Sequence, residues 1–151
     1  MGKRQNVQEE SGTMISSMNY DNYRSLVHPR NKKVQVIKLW HHKCPMCKEL
    51  RPIYEKLAEL YKDDFNFFEV NVIDDKHRLE VVIKQAATGI ENPKDITFGV
   101  PEIYFFYGHK VLEIPWPEKA TESGYSEEYL KTFFDHYKWF RSFHERNVKL
   151  R

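Results

Sequence analysis

The chain has 151 residues, 40% of them hydrophobic and 15% aromatic, with 24 basic against 22 acidic side chains. That is enough apolar material for one packed domain, and it argues against wholesale disorder. The near-neutral balance gives no support to a nucleic-acid or membrane-surface role, and no stretch approaches the roughly 18 apolar residues that a membrane helix needs.

Residues 1–17 are polar with little pattern and read as a flexible N-terminal arm. The opening MGKRQNVQEESG has no apolar run after its basic residues, so no secretory signal is expected. MNYDNYRSLVH, 18–28, reads as a short helix turning Tyr20, Tyr23, Leu26 and Val27 inward, before a turn at His28-Pro29-Arg30-Asn31. VQVIKLW, 34–40, is apolar on both faces apart from Gln35 and Lys38, which suits a buried central strand. From Cys47 onward Leu50, Ile53, Tyr54, Leu57, Leu60 and Tyr61 recur at helical spacing. Pro45 suits the first turn of that helix, and Pro52 inside it predicts a kink.

FNFFEVNVID, 65–74, reads as a strand. Asp74 and Asp75 are placed to cap a helix with Leu79, Val82, Ile83 and Ala86 inward, ending near Gly89. Residues 91–99 read as a loop. EIYFFY, 102–107, and KVLEI, 110–114, flank Gly108-His109, a type II′ hairpin signal. The final helix, YSEEYLKTFFDHYKWFRSFHER, takes Ser126 as its cap and Leu130, Phe133, Phe134, Tyr137 and Phe140 as its apolar face. The order β-α-β-α-β-β-α predicts an α/β domain over 18–146, followed by a basic tail at 147–151. Two strands joined through a helix imply a parallel, right-handed crossover, and the closing hairpin makes the sheet mixed.

WHHKCPMC, 40–47, holds the only two cysteines in the chain. Two cysteines do not make a secreted disulfide framework. The expected compartment is the reducing cytosol, where a close pair is more often redox-active or metal-binding than structural. At the mouth of the helix the Cys44 sulfur faces unpaired N–H groups and the positive end of the helix dipole, which lowers a thiol pKa below the free value of about 8.5. Lys43 adds positive charge next door, and His41, His42 and Lys48 are placed to add more. Cys44 is therefore expected to be the exposed attacking thiol, and Cys47, nearly a turn further on, the buried resolving thiol. Two other readings stand beside this one. The pair could hold zinc with His41 and His42, which the compact spacing and the lack of a second ligand pair disfavour. It could also be inert.

The surroundings of the pair resemble the thioredoxin superfamily over residues 20–140. Leu39-Trp40 precede the motif by that family's usual gap, Lys48 follows the second Cys, and Pro52 stands where thioredoxins kink this helix. Gly99-Val100-Pro101 before a hydrophobic strand is similar to the family's Gly-Ile-Pro segment. The resemblance implies the thioredoxin fold, a central mixed four- to five-stranded sheet flanked by helices on both faces. It implies that Pro101 is cis, that Val100 offers its backbone to a substrate strand, and that Trp40 walls the site. Lys43, His42, Lys38 and Pro45 would then tune the dithiol.

There are departures. Lys43 replaces the family's Trp, and the inner pair Pro45-Met46 is closer to those of glutaredoxins and some disulfide-forming members. Lys38 stands where thioredoxins bury an acid thought to take the proton from the resolving thiol. A Lys there implies a more oxidising poise, unless it simply snorkels to the surface.

The expected function is a cytosolic thiol–disulfide oxidoreductase. Cys44-Cys47 would exchange with protein thiols and disulfides, be recycled by a reductase or oxidase, and need neither a metal nor another cofactor. No nucleic-acid or membrane partner is expected. The rival is a binding or assembly module with a silent or regulatory dithiol. Trp139, Phe140 and Phe143 carry aromatic character beyond the needs of one core face, next to the basic Lys138, Arg141, Arg146, Lys149 and Arg151. Such a surface would suit a partner, or a homodimer through the C-terminal helix. Glu102 is read as a solvated strand end, and His77, His109, His136 and His144 as surface residues.

Overall fold

A computed structural model of the chain describes residues 14–27, 33–107, 110–117 and 124–150, and beyond residue 138 the backbone alone. Its strands are β1 (Ile15–Ser17), β2 (Val34–Trp40), β3 (Phe65–Asn71), β4 (Glu102–Tyr107) and β5 (Lys110–Glu113). Its helices are α1 (Tyr23–Leu26), α2 (Pro45–Leu60), α3 (Arg78–Thr88) and α4 (Glu127–Leu150), with a 3-10 turn at Pro93–Asp95. The strands form a five-stranded sheet in the order β1-β3-β2-β4-β5. β1, β3 and β2 run parallel, while β4 and β5 are antiparallel to their neighbours. This is the mixed sheet expected of a thioredoxin fold.

The sheet alternates in what it buries. Val34 and Val36 of β2 and Phe65 and Phe67 of β3 join one core, under Leu50, Tyr54 and Leu57 of α2 and Leu130 and Phe134 of α4. Ile37, Leu39, Phe68 and Val70 point the other way, against Leu79 and Ile83 of α3. Residues two apart along a strand share a face, so a continuous apolar run can feed both cores. Phe134 fixes α4 on the sheet: its ring stacks on Tyr61 and Phe67 at 5.1 and 5.5 Å and meets Phe65 and Phe105 edge-on at 5.2 and 5.0 Å. Tyr54 ties the helix to two strands, its hydroxyl donating to the carbonyl of Phe68 at 2.8 Å.

Several boundaries differ from expectation. Residues 15–17 are not part of an arm. They form β1, because Ile15 pairs beside Phe67 and extends the parallel ladder of β3. The helix expected over 18–28 shortens to the single turn of α1. Asp75 does cap α3, but from further upstream than usual. Lys76 and His77 both adopt left-handed backbone, at φ 55° and 60°. That loop lets the Asp75 carboxylate accept from the N–H of Leu79 at 2.6 Å and of Tyr20 at 2.9 Å. α4 runs on through residues 147–150, so those are helix rather than a separate tail. Ser126 caps it, accepting from the Tyr129 N–H at 3.1 Å.

The arm before residue 14, the turn at 28–31 and the Gly108-His109 turn lie outside the described residues. So do the side chains of Trp139, Phe140 and Phe143, and with them the expected partner or homodimer surface. No helix among the described residues is long and apolar enough to cross a membrane.

Candidate active site

β2 ends at Trp40 and the chain turns directly into α2, whose N-cap is Cys44. Cys44 has extended backbone, φ −95° and ψ 111°, and Pro45 supplies the pre-set φ of the first helical residue. The Cys44 Sγ accepts the backbone N–H of Cys47 at 3.1 Å, as an N-cap side chain does. Cys44 and Cys47 are joined as a disulfide with their Cα atoms 5.2 Å apart. The sulfur that caps the helix is thus also half of the disulfide.

Exposure follows the expected order but not the expected size. Cys44 is 7% exposed and Cys47 3%, so the outer sulfur is nearly covered rather than open. One neighbour is the backbone of Val100, whose carbonyl oxygen lies 3.8 Å from Cys44 Sγ. The Val100–Pro101 peptide bond is cis. Pro101 is buried and Val100 half-buried. Residues 44 and 100, far apart in sequence, therefore meet at the mouth of α2.

The groups expected to tune the pair separate into two kinds. His42, Lys43 and Pro45 are exposed, so water screens the Lys43 charge. His41 is turned back on the loop, its Nδ1 accepting the Lys43 N–H at 3.2 Å. Among the described residues no cluster of His, Cys, Asp and Glu is placed to hold a metal ion. Trp40 is half-buried, and two cations flank its ring, Lys38 at 6.0 Å and Arg51 at 5.8 Å.

Lys38 is the main correction. It does not snorkel: only 3% of its side chain is exposed. Its ammonium lies 4.7 Å over the ring of Tyr54 and 3.7 Å from the carboxylate of Glu69, its partner in the β2–β3 register. Burial pulls the Lys38 pKa below its ordinary value, and Glu69 opposes that pull. The positive charge expected to favour an oxidising dithiol thus stands beside a carboxylate. Glu69 was not singled out from the sequence. It also faces a cleft of about 510 Å³ at the C-terminal ends of β1, β3 and β2, lined by Met18, Trp40, Asn71, Asp75 and Arg78.

A second charged cluster sits across the sheet. Glu102, next to Pro101, is not a solvated strand end. Its carboxylate lies 2.8 Å from the Lys84 ammonium, and Lys84 also meets Glu80 at 3.7 Å. His77 is half-exposed but paired, its Nδ1 2.6 Å from Glu80. Burial pushes the Glu102 carboxyl up to about 7, Lys84 pulls it down, and Glu113 on β5 pushes it up again. A carboxyl held higher in the folded than in the unfolded chain keeps a proton that the unfolded chain has released. Its contribution to stability therefore falls as pH rises from about 4.5 to about 7. Glu102→Gln should remove that slope. In urea titrations the stability of the variant relative to wild type should rise between about pH 5 and about pH 8. A pH-independent difference would show that Glu102 is not held protonated.

A CxxC disulfide at a strand-to-helix junction of this sheet, beside a proline before β4, is the architecture of the thiol–disulfide oxidoreductases. A thioredoxin family model matches residues 14–90, and the chain belongs to the thioredoxin family. It is 41% identical over 58 residues to protein disulfide isomerase-like 2-2 of Oryza sativa subsp. japonica, a match covering 38% of this chain and 15% of that protein. The matched stretch is thus a small part of the rice protein. Among solved structures, it is similar to the Malassezia sympodialis thioredoxin Mala s 13, with 21% identity and a TM-score of 0.57, covering 83% of this chain and 92% of that one. It is also similar to a chain in the complex of ferredoxin:thioredoxin reductase with thioredoxin f2, with 18% identity and a TM-score of 0.62, covering 83% and 97%. At these identities the two structures bear on the fold alone.

Proposed function

We propose that the chain exchanges its Cys44–Cys47 disulfide with protein thiols and disulfides, Cys44 forming the intermolecular bond and Cys47 resolving it. The observation that carries this reading is the position of Cys44 Sγ, at the positive end of α2 and 3.8 Å from the Val100 carbonyl. In the reducing direction the Cys44 thiolate attacks one sulfur of a substrate disulfide. That bond breaks, and the departing substrate sulfur leaves as a thiolate and takes a proton from water. The Cys47 thiolate then attacks the Cys44 sulfur. The mixed disulfide breaks, the second substrate sulfur leaves, and the Cys44–Cys47 bond carries the two electrons' worth of oxidation. The reverse sequence oxidises a substrate dithiol.

Val100 and Pro101 border the reacting sulfur and are proposed to shape the substrate groove, with Trp40 as a wall. A reductase or oxidase recycles the pair, and the proposed compartment is the cytosol. The test is a redox titration in graded glutathione buffers, with acid quenching, alkylation and weighing by mass spectrometry. A reversible two-electron transition between dithiol and internal disulfide is expected. If no internal disulfide forms at any poise, the oxidoreductase reading fails.

A further inference from the structure

We infer that Lys84 is a positioning residue for the substrate groove, clamping both ends of the segment that holds Val100 against Cys44. The inference rests on the oxidoreductase reading for its functional half and on geometry for the other. Lys84 stands on α3, outside the dithiol motif and the proline segment, and its side chain is only 6% exposed. An ammonium has three N–H donors and no acceptor capacity. Here it meets three acceptors: the carbonyl of Thr97, Glu102 Oε1 at 2.8 Å and Glu80 Oε2 at 3.7 Å. Thr97 and Glu102 bracket Phe98, Gly99, Val100 and Pro101. One buried cation therefore closes the base of the loop.

The loop has little else to hold it on its outer side. Thr97, Phe98 and Gly99 are exposed, and a Cβ at Gly99 would meet nothing within 4 Å. Phe98 leans over the clamp, its ring 5.9 Å from the Lys84 ammonium and 5.0 Å from the His77 ring. Glu80 is in turn held by His77 at 2.6 Å, so the lysine has a fixed foundation on its own helix. Ile96 and Pro101 are buried and Val100 packs on the second core, and the buried, charge-assisted contact ties these inner residues to α3 at both ends. The Val100 carbonyl is what that position delivers to the sulfur.

The consequence is selective. A peptide disulfide that docks along the Val100 backbone needs the loop in place. A small disulfide such as hydroxyethyl disulfide needs only the Cys44 thiolate. Lys84→Met should lower kcat/KM for a fluorogenic peptide disulfide by about tenfold or more, mainly through KM, and leave the hydroxyethyl disulfide rate and the midpoint potential unchanged. Hydrogen–deuterium exchange should quicken in 96–101 and stay slow in β2 and β3. Should Lys84→Met not fold, Lys84→Met/Glu102→Gln removes the clamp and its abandoned carboxyl partner together, leaving Glu80 with His77.

Unchanged exchange in 96–101 overturns the clamp. Quickened exchange with an unchanged peptide rate overturns its role in positioning, as does an equal loss on both disulfides. If wild type turns over neither disulfide, the oxidoreductase reading is what fails, and the clamp still stands or falls on the exchange data.

Discussion

Cys47→Ser should accumulate proteins covalently attached through Cys44, and Cys44→Ser should accumulate none. In the first variant the outer sulfur still sits at the N-cap of α2 and can attack, but the thiolate that would break the mixed disulfide is gone. In the second the remaining thiol is Cys47, 3% exposed and one turn inside the helix. Turnover of a disulfide substrate should fall to the uncatalysed background in both. Non-reducing gels of material quenched with acid, followed by mass spectrometry of the adducts, read this directly. Trapping by Cys44→Ser at the level of Cys47→Ser would reverse the assigned roles. The small exposure of Cys44, 7%, also predicts that bulky maleimides label the reduced protein slowly compared with iodoacetamide.

The second large effect concerns the buried pair beneath the sheet's first core. Glu69→Gln should cost about 3 kcal/mol of stability at neutral pH, because it leaves the Lys38 ammonium buried without its countercharge. Lys38→Met should cost clearly less. The two partners are not equivalent: the Lys38 side chain is 3% exposed, whereas that of Glu69 is 19% exposed and opens on the cleft. An abandoned carboxylate can take water from the cleft, and an abandoned ammonium cannot. Met also replaces the lysine stem with apolar volume against Tyr54.

The pH dependence has a fixed sign. The folded-state pKa of Lys38 lies below its ordinary value of 10.5. Between the two values the unfolded chain holds a proton that the folded chain has lost, so stability from this group rises with pH there. Glu69→Gln should steepen that rise. Urea denaturation of both variants at neutral and alkaline pH measures all of this. A costlier Lys38→Met would show that the carboxylate, not the ammonium, is the stranded charge.

What the sequence made legible was local. The dithiol, the strand before it, the helix after it and the Val-Pro before a second strand are all patterns within a few residues. The alternation of strand and helix fixed the order of the parallel pair and the hairpin. The Lys38–Glu69 contact was not legible in the same way, because it depends on the register of β2 against β3. A signal was present nonetheless: VQVIKLW and FNFFEVN each carry one charge near the middle of a buried run, and the charges are opposite.

β1 was missed for a different reason. Three residues inside a polar stretch have no periodicity of their own, and they become a strand only because Phe67 to Glu69 offer a free edge. The Lys84 clamp has no local signal at all. It joins a helix to a loop 13 residues on, and only the packing of α3 against the sheet brings them together.

The order of strands also bears on how other chains can approach this one. Among the described residues the sheet's two edges are β1, three residues long, and β5, four residues long, while the inner strands have six or seven. Short edges expose little unpaired backbone, so neither offers a long template on which a second sheet could grow. A partly unfolded client, whose own strands are unsatisfied, is the kind of molecule that would otherwise add to such an edge. Among the described residues the flanks of the sheet are thus poor places for an extended chain to add, and the loops at the mouth of α2 are the approach left open.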